Sequence, residues 1–304
     1  MTSEASPFAF IDGALDRADA LRDDPEALAH LWPQARIVLL DDEGRALADA
    51  SGALHAPRGS DLGGGPGTAI FLGLRGDEAW FAQPAASVAF DAEGRTDLRT
   101  AATRWPAFDA TVFAQARSML HWHARHRFCG ACGGDIAFVR AGWLGRCARC
   151  NAEHYPRTDQ AIIVAVTDGE RLLLGRQRSW PARRWSVIAG FVEPGESLEQ
   201  TVAREVFEET RVRVRSSRYL ASQPWAFPGS LMLGFLAESG PDTPVAGDEL
   251  EDVRWFDVET VRAGLARDWT APPDDGEAGI ALSAPISISR WLVEQWLATV
   301  TRPR

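Results

Sequence analysis

Residues 190–212 read GFVEPGESLEQTVAREVFEETRV, a turn-rich loop running into a helical pattern. Gly190, Pro194 and Gly195 supply the loop. Ser197 followed by Gln200 forms a capping-box pattern, and the acidic first turn suits the positive end of a helix dipole. Leu198, Val202 and Val206 recur at i, i+4 and i+8, an apolar stripe that faces a core. Glu205, Glu208 and Glu209 stand at i, i+3 and i+4, so three carboxylates share another face. Like charges this close raise one another's pKa, and a divalent cation relieves them. Hard oxygen donors suit Mg²⁺ or Mn²⁺. Arg204 is placed to pair with Glu208 at i+4. Such an acidic run alone also describes a solvated helix face; the loop ahead of it favours the metal-binding reading.

Loop and helix together resemble the Nudix box, Gly-x5-Glu-x7-Arg-Glu-U-x-Glu-Glu-x-Gly-U with U aliphatic. Gly190, Glu196, Arg204, Glu205, Val206, Glu208, Glu209 and Val212 fall on it. Arg211 stands where the pattern has its last glycine. That glycine ends the helix at positive φ, so Arg211 is expected to cost about 1 kcal/mol or to shift the exit by a residue. No predicted metal ligand is affected.

The chain has 304 residues, 45% of them hydrophobic, enough for about two domains and a small third module. Its 32 basic residues are all arginine, against 42 acids, for a net charge of −10. That balance argues against a general nucleic-acid-binding surface but leaves room for one nucleotide held through metal. The start, MTSEASPFAF, has no basic region followed by an apolar run, and no stretch is long enough to span a membrane. A soluble, cytoplasmic protein is expected.

Residues 1–104 carry no catalytic constellation. ARIVLLD, AIFLGL, AWFAQ and SVAFD read as short strands between Gly/Asp/Pro-rich turns, and DPEALAHLW as a helix with an Asp cap and Pro at its first position. A mixed α/β packing domain is expected. Residues 105–127 turn helical, with Phe108, Val112, Phe113, Ala116 and Leu120 spaced by three or four, and are expected to link to the next module. His121, His123 and His126 at the end of that helix suit its negative pole better than a metal site.

Residues 128–156 hold Cys129-x2-Cys132 and Cys147-x2-Cys150, the only cysteines in the chain, around fourteen intervening residues. Four thiolates brought together by two tight turns select Zn²⁺ and leave it no open position, so the ion would be structural. Disulfides are the alternative in an oxidising compartment and a redox pair is a second one. Gly130, Gly133 and Gly134 suit tight knuckles.

Residues 157–304 read as the catalytic domain. Asp168-Gly169 turns an apolar strand, AIIVAV, back into RLLLGRQ. WSVIAGFVE delivers its end into the acidic loop. RVRSSRYLASQ, LMLGFLAES and VRWFD read as further strands, and VETVRAGLA and ISISRWLVEQWLATV as helices. A mixed sheet between helices results, the α/β/α sandwich of the Nudix fold, with the zinc ribbon and the N-terminal mixed domain preceding it.

Ser222 to Ser230 (SQPWAFPGS) resembles the SQPWPFPxS array of the NADH pyrophosphatase branch of Nudix hydrolases, with Ala226 in place of the middle proline. The order zinc ribbon, HYPR, box and array matches that branch over roughly residues 105–260. Phe191 with Trp225 or Phe227 offers flat faces for a nicotinamide or adenine ring, and Gln223 and Ser230 offer polar contacts. The resemblance implies that Tyr155, Ile163, Phe191, Gln223 and Ser230 line the substrate pocket, with Trp225 contributed across a homodimer. It also implies a degenerate, non-catalytic Nudix-like domain at the N terminus. Glu249, six residues before Trp255, matches a further family carboxylate, and Ser289 a more loosely aligned pocket residue.

The resemblance implies hydrolysis of the diphosphate of NADH or NAD⁺ to AMP and nicotinamide mononucleotide, and removal of NAD caps from RNA 5′ ends. Divalent metal would be held by Glu205, Glu208, Glu209 and Glu249, with the Gly190 carbonyl as a further ligand. Glu208 or Glu209 is the candidate base, with Glu249 in reserve. Hydrolysis of ADP-ribose or a diadenosine polyphosphate is one alternative. A zinc-ribbon interaction protein with an inactive Nudix fold is another.

Overall fold

The computed structural model describes residues 7–268 and 279–301. The chain divides into two compact units: residues 9–158 with 224–229, and residues 159–223 with 230 onward and residues 7–8.

In the first unit α1 (Pro25–Leu31) starts as its sequence predicts, with Pro25 in the first turn and the Asp24 carboxylate accepting from Ala27 N–H at 2.9 Å. Five strands follow: β1 (Arg36–Leu40), β2 (Ala46–Ala48), β3 (Ile70–Arg75), β4 (Glu78–Pro84) and β5 (Gly94–Thr96), with a short α2 (Gly59–Leu62) between β2 and β3. They form one sheet in the order β3-β4-β1-β2-β5, in which β1 and β4 run parallel. Alternation along β1 divides the core. Ile37 and Leu39 meet Phe71, Phe81, Leu28 and Trp32 on one face. Val38 and Leu40 meet Ile70, Leu72 and Trp80 on the other. That second face is roofed by α3 (Leu98–Arg104) and α4 (Ala107–Arg125), whose Phe108, Val112, Phe113, Met119 and Trp122 are buried in it. The helix expected to link modules is therefore also a core element of this unit. His123 stacks on Phe138 with ring centroids 3.6 Å apart, and its Nε2 lies 2.7 Å from the Gly142 carbonyl oxygen, while His126 Nδ1 lies 3.0 Å from the Trp122 carbonyl.

The ribbon is a three-stranded antiparallel sheet, β6 (Ile136–Val139), β7 (Leu144–Cys147) and β8 (Glu153–His154).

Among its described residues the second unit holds six strands: β9 (Asp159–Thr167), β10 (Leu172–Arg176), β11 (Ile188–Phe191), β12 (Val214–Trp225), β13 (Ser230–Ser239) and β14 (Asp252–Phe256). Their order is β12-β13-β9-β10-β14, with β11 pairing antiparallel to β9. Helices α5 (Leu198–Thr210), α6 (Val258–Ala266) and α7 (Ile288–Val300) accompany them. Ile162, Val164 and Val166 of β9 pack with Phe235 of β13 and with Val202 and Val206 of α5. On the opposite face, Gly234 of β13 lies under Ile288 and Leu292 of α7, and Trp296 Nε1 donates to Thr167 Oγ1 at 3.0 Å. The sheet thus has helices on both faces, the expected sandwich.

Candidate functional site

Strand β11 carries Gly190 and Phe191 to the sheet edge by pairing with Ile162 and Ala161 of β9. The chain then turns through residues 192–197 into α5. Both arms of the capping box form: Ser197 N–H donates to Gln200 Oε1 at 2.7 Å, and Gln200 N–H to Ser197 Oγ at 3.3 Å. Val202 and Val206 are fully buried, with Leu198 packed against the same cluster.

Arg204 is the hub of the site. Its Nε and Nη2 donate to the two oxygens of Glu196 at 2.6 and 2.8 Å. Its Nη2 also reaches the Phe191 carbonyl at 2.9 Å, and its Nη1 reaches Glu205 at 2.9 Å and Glu208 at 3.1 Å. Glu196 further accepts from Thr201 Oγ1 at 2.9 Å and Glu193 N–H at 3.1 Å. The Arg204 guanidinium holds the Glu196 carboxyl well below the usual carboxylate range, at about 2. The expected Arg204–Glu208 pair is present, and the same guanidinium also ties the loop to the helix.

The carboxylates differ in environment. Glu209 is only 8% exposed, and burial, then Glu205, Glu249 and Glu208, push its carboxyl up to about 8. Burial also raises Glu205, which Arg204 partly offsets. Glu208 has a 57% exposed side chain. A Cβ on residue 190 would stand 1.9 Å from Glu205 Cδ, so a side chain there would displace that carboxylate.

Glu249, on the loop between β13 and β14, is exposed and adds to the repulsion felt by Glu205 and Glu209. Its loop is pinned to the end of α5: Val245 N–H donates to Thr210 O at 2.9 Å and Gly247 N–H to Glu209 O at 2.8 Å. A Cβ at Gly247 would meet the Glu208 carbonyl oxygen at 2.5 Å. Sequence reasoning passed over Gly247. Its one signal was a glycine two residues before Glu249, in a loop rich in turn residues.

The four cysteine sulfurs lie within 4.8 Å of one another, and among the described residues no three glutamates or other ligating groups come as close. The glutamates share a face as expected but do not converge to that distance. Arg204 takes one oxygen each of Glu205 and Glu208, and Glu209 is turned inward. Four carboxylates, two of them raised first by burial and then by their neighbours' charge, still suit a divalent cation. At the ribbon, Cys129 N–H donates to Gly134 O and Gly133 N–H to Cys129 O, both at 2.8 Å, and Arg149 N–H points to Cys147 Sγ at 3.4 Å. A Cβ on Gly134 would press on Arg149 Cβ at 2.8 Å and Cys147 Sγ at 3.2 Å, so that knuckle requires glycine.

The remaining predicted residues separate. Phe191 presents a 60% exposed ring and Ser230 is half-buried at the start of β13. Ile163 is buried on the β9 face opposite α5. Gln223 is fully buried, and its amide straps the start of α7: Nε2 donates to Ile286 O at 2.8 Å, and Oε1 accepts from Ile288 N–H at 2.9 Å. Ser289 is buried too, its Oγ 2.9 Å from Ser186 Oγ and 3.3 Å from Ser283 Oγ. Neither side chain therefore offers an open contact here, because backbone and hydroxyl groups of the same unit already satisfy both. In the first unit Tyr155 is exposed and donates to Glu153 at 2.6 Å, and Trp225 and Phe227 pack against the unit's own core.

A sandwich with this loop–helix defines a Nudix domain, and the ribbon defines a four-cysteine module. Three family models match in sequence: the NADH pyrophosphatase-like rudimentary NUDIX domain over residues 34–122, the NADH pyrophosphatase zinc ribbon domain over 124–155 and the NUDIX domain over 156–275. Over 294 residues the chain is 39% identical to the NAD-capped RNA hydrolase NudC of Mycobacterium bovis (strain BCG / Pasteur 1173P2), covering 93% of this chain and 92% of that one. The same figures hold for the protein of that name from Mycobacterium tuberculosis (strain ATCC 25618 / H37Rv). That of Stutzerimonas stutzeri (strain A1501) is 43% identical over 179 residues, 58% of each chain. The chain belongs to the Nudix hydrolases, in the branch that joins a rudimentary Nudix domain and an NADH pyrophosphatase zinc ribbon to a Nudix domain.

Proposed function

We propose that this protein hydrolyses the diphosphate of NADH and NAD⁺, releasing AMP and the corresponding nicotinamide mononucleotide, and that it also removes NAD from RNA 5′ ends. The carrying observation is the Arg204-centred lock, which holds Glu196, Glu205, Glu208 and the Phe191 carbonyl in one piece beside the buried Glu209. The 39% identical relatives named NAD-capped RNA hydrolase support the substrate class. The charge of −10 ranks the free dinucleotide ahead of a long RNA.

Glu205, Glu208, Glu209 and Glu249, with the Gly190 carbonyl, would hold Mg²⁺ or Mn²⁺, which when bound neutralises charge on the diphosphate and acidifies water. The chain's own part is positional. Arg204 fixes the loop, and the exposed Phe191 ring takes a flat base or nicotinamide face. Water attacks one phosphorus, the bridging P–O bond breaks, and the proton passes to a carboxylate and onward to the leaving phosphate. Glu208 or Glu209 is the candidate to take that proton, with Glu249 in reserve. Zn²⁺ at the four cysteines closes the ribbon without reacting.

Residues 1–104 act as a non-catalytic domain, 105–127 and 128–156 as connector and ribbon, and 157–304 as the catalytic domain. A homodimer in a reducing, cytoplasmic setting completes the reading, Trp225 being donated from one protomer to the other's substrate.

The test is a product assay with NADH, NAD⁺, ADP-ribose, a diadenosine polyphosphate and NAD-capped RNA, each with Mg²⁺ or Mn²⁺. Preferential release of AMP and nicotinamide mononucleotide is expected. Turnover of none of them would return the chain to an interaction role, and preference for ADP-ribose or the diadenosine compound would reassign the substrate.

A further inference from the structure

Residues 224–229, the end of β12 and the turn into β13, belong to the first unit. Ala226 is 2% exposed within that unit's core, with Trp225 and Phe227 packed against the same cluster. The two rings lie 4.8 Å apart, and Phe10 closes on both at 6.4 and 6.3 Å. Phe10 has φ +70°, a conformation that bulky residues adopt only when their surroundings impose it.

Two arginines complete the seat. Arg117 of α4 donates to the Ala226 carbonyl and lies 5.6 Å from the Phe227 ring centre. Arg99 of α3 stands 4.4 Å from the Phe227 ring centre and 5.8 Å from that of Trp225. Gly44 makes room, since a Cβ there would lie 3.2 Å from Arg117 Nε. A planar guanidinium can hold a carbonyl and cover a ring at once, which an ammonium does less well.

We propose that Arg117, backed by Arg99, is a positioning residue for substrate: it holds the backbone of residue 226 so that Trp225 and Phe227 are presented as one rigid recognition element. The rudimentary domain thereby gains a task, that of seating the ring-recognition loop. The proposal rests on that array meeting the dinucleotide, as proposed above.

A double-mutant cycle on NADH hydrolysis tests it. Trp225→Ala and Arg117→Met are each expected to raise KM about tenfold with kcat within about twofold, and the double variant to be no worse than Trp225→Ala alone. Arg117→Lys should fall between wild type and Arg117→Met. If Arg117→Met does not fold, Arg117→Lys and Arg99→Met, whose side chain is exposed, carry the same cycle. An unchanged KM for the arginine variants beside a raised KM for Trp225→Ala would overturn the clamp alone, as would multiplying effects in the double variant. An unchanged KM for Trp225→Ala would instead sink the array's contact with substrate, and the clamp with it.

Discussion

Glu209 has almost no exposure and three acidic neighbours, and its carboxyl titrates near 8 against an ordinary value of 4.5. The folded state therefore binds a proton more tightly than the unfolded one. Between about pH 4.5 and 8 that proton is lost from the unfolded chain first, so stability falls as pH rises. The melting temperature of metal-free protein should drop from pH 5 to pH 9, and Glu209→Gln should flatten that slope. Added Mg²⁺ should recover more stability at pH 9 than at pH 5. The same substitution should cut turnover by about 10²–10⁴-fold without unfolding the chain; loss of fold would make Glu209 structural. Arg211 holds φ +61° and ψ 8° at the end of α5, so the helix exits where the family pattern has glycine, and a side chain is forced to the left-handed conformation. Its guanidinium lies 5.6 Å from the Phe207 ring centre, and that of Arg213 lies 5.1 Å away. Arg211→Gly should stabilise the protein by about 1 kcal/mol in denaturant unfolding, and no gain would mean that the stacked guanidinium offsets the strain.

At the scale of elements, α5 was legible almost whole because its determinants are local. Cap, stripe and acidic face all depend on neighbours within four residues. Strands β9, β10 and β13 were equally readable as apolar runs between turns, whereas the role of the helix at Ala107–Arg125 was only half visible. Its periodicity predicted a helix, but that its apolar face roofs the N-terminal sheet depends on partners 30 to 80 residues away, such as Val38 and Trp80. The ribbon was readable from cysteine spacing, and the same closeness makes a sharp expectation. One zinc per chain should be found by atomic absorption, and Cys132→Ser or a strong chelator should lower it while destabilising β6–β8, seen as faster amide exchange in residues 128–154. Full zinc retention in Cys132→Ser would refute the four-sulfur site.

Taking the molecule as a whole, the chain passes out of the catalytic unit after Gln223, lodges Ala226 in the first unit's core, and returns at Ser230. A fragment of residues 156–304 should therefore expose Trp225, Ala226 and Phe227, bind a hydrophobic dye and aggregate more readily than the full chain. A monodisperse fragment that binds no dye would show that the loop finds cover without the first unit.

By itself the sequence determined the modules, the cysteine site and the acidic helix, because each is written in short spacings along the chain that backbone geometry turns directly into proximity. Only the tertiary structure decided which of those side chains remain open. Gln223 and Ser289 look like pocket residues in one dimension, yet the start of α7 satisfies Gln223 and the hydroxyls of Ser186 and Ser283 meet Ser289, while Glu209 is buried and Glu208 is exposed. Burial is set by what distant segments bring against a residue, and so are its pKa and its freedom to meet substrate.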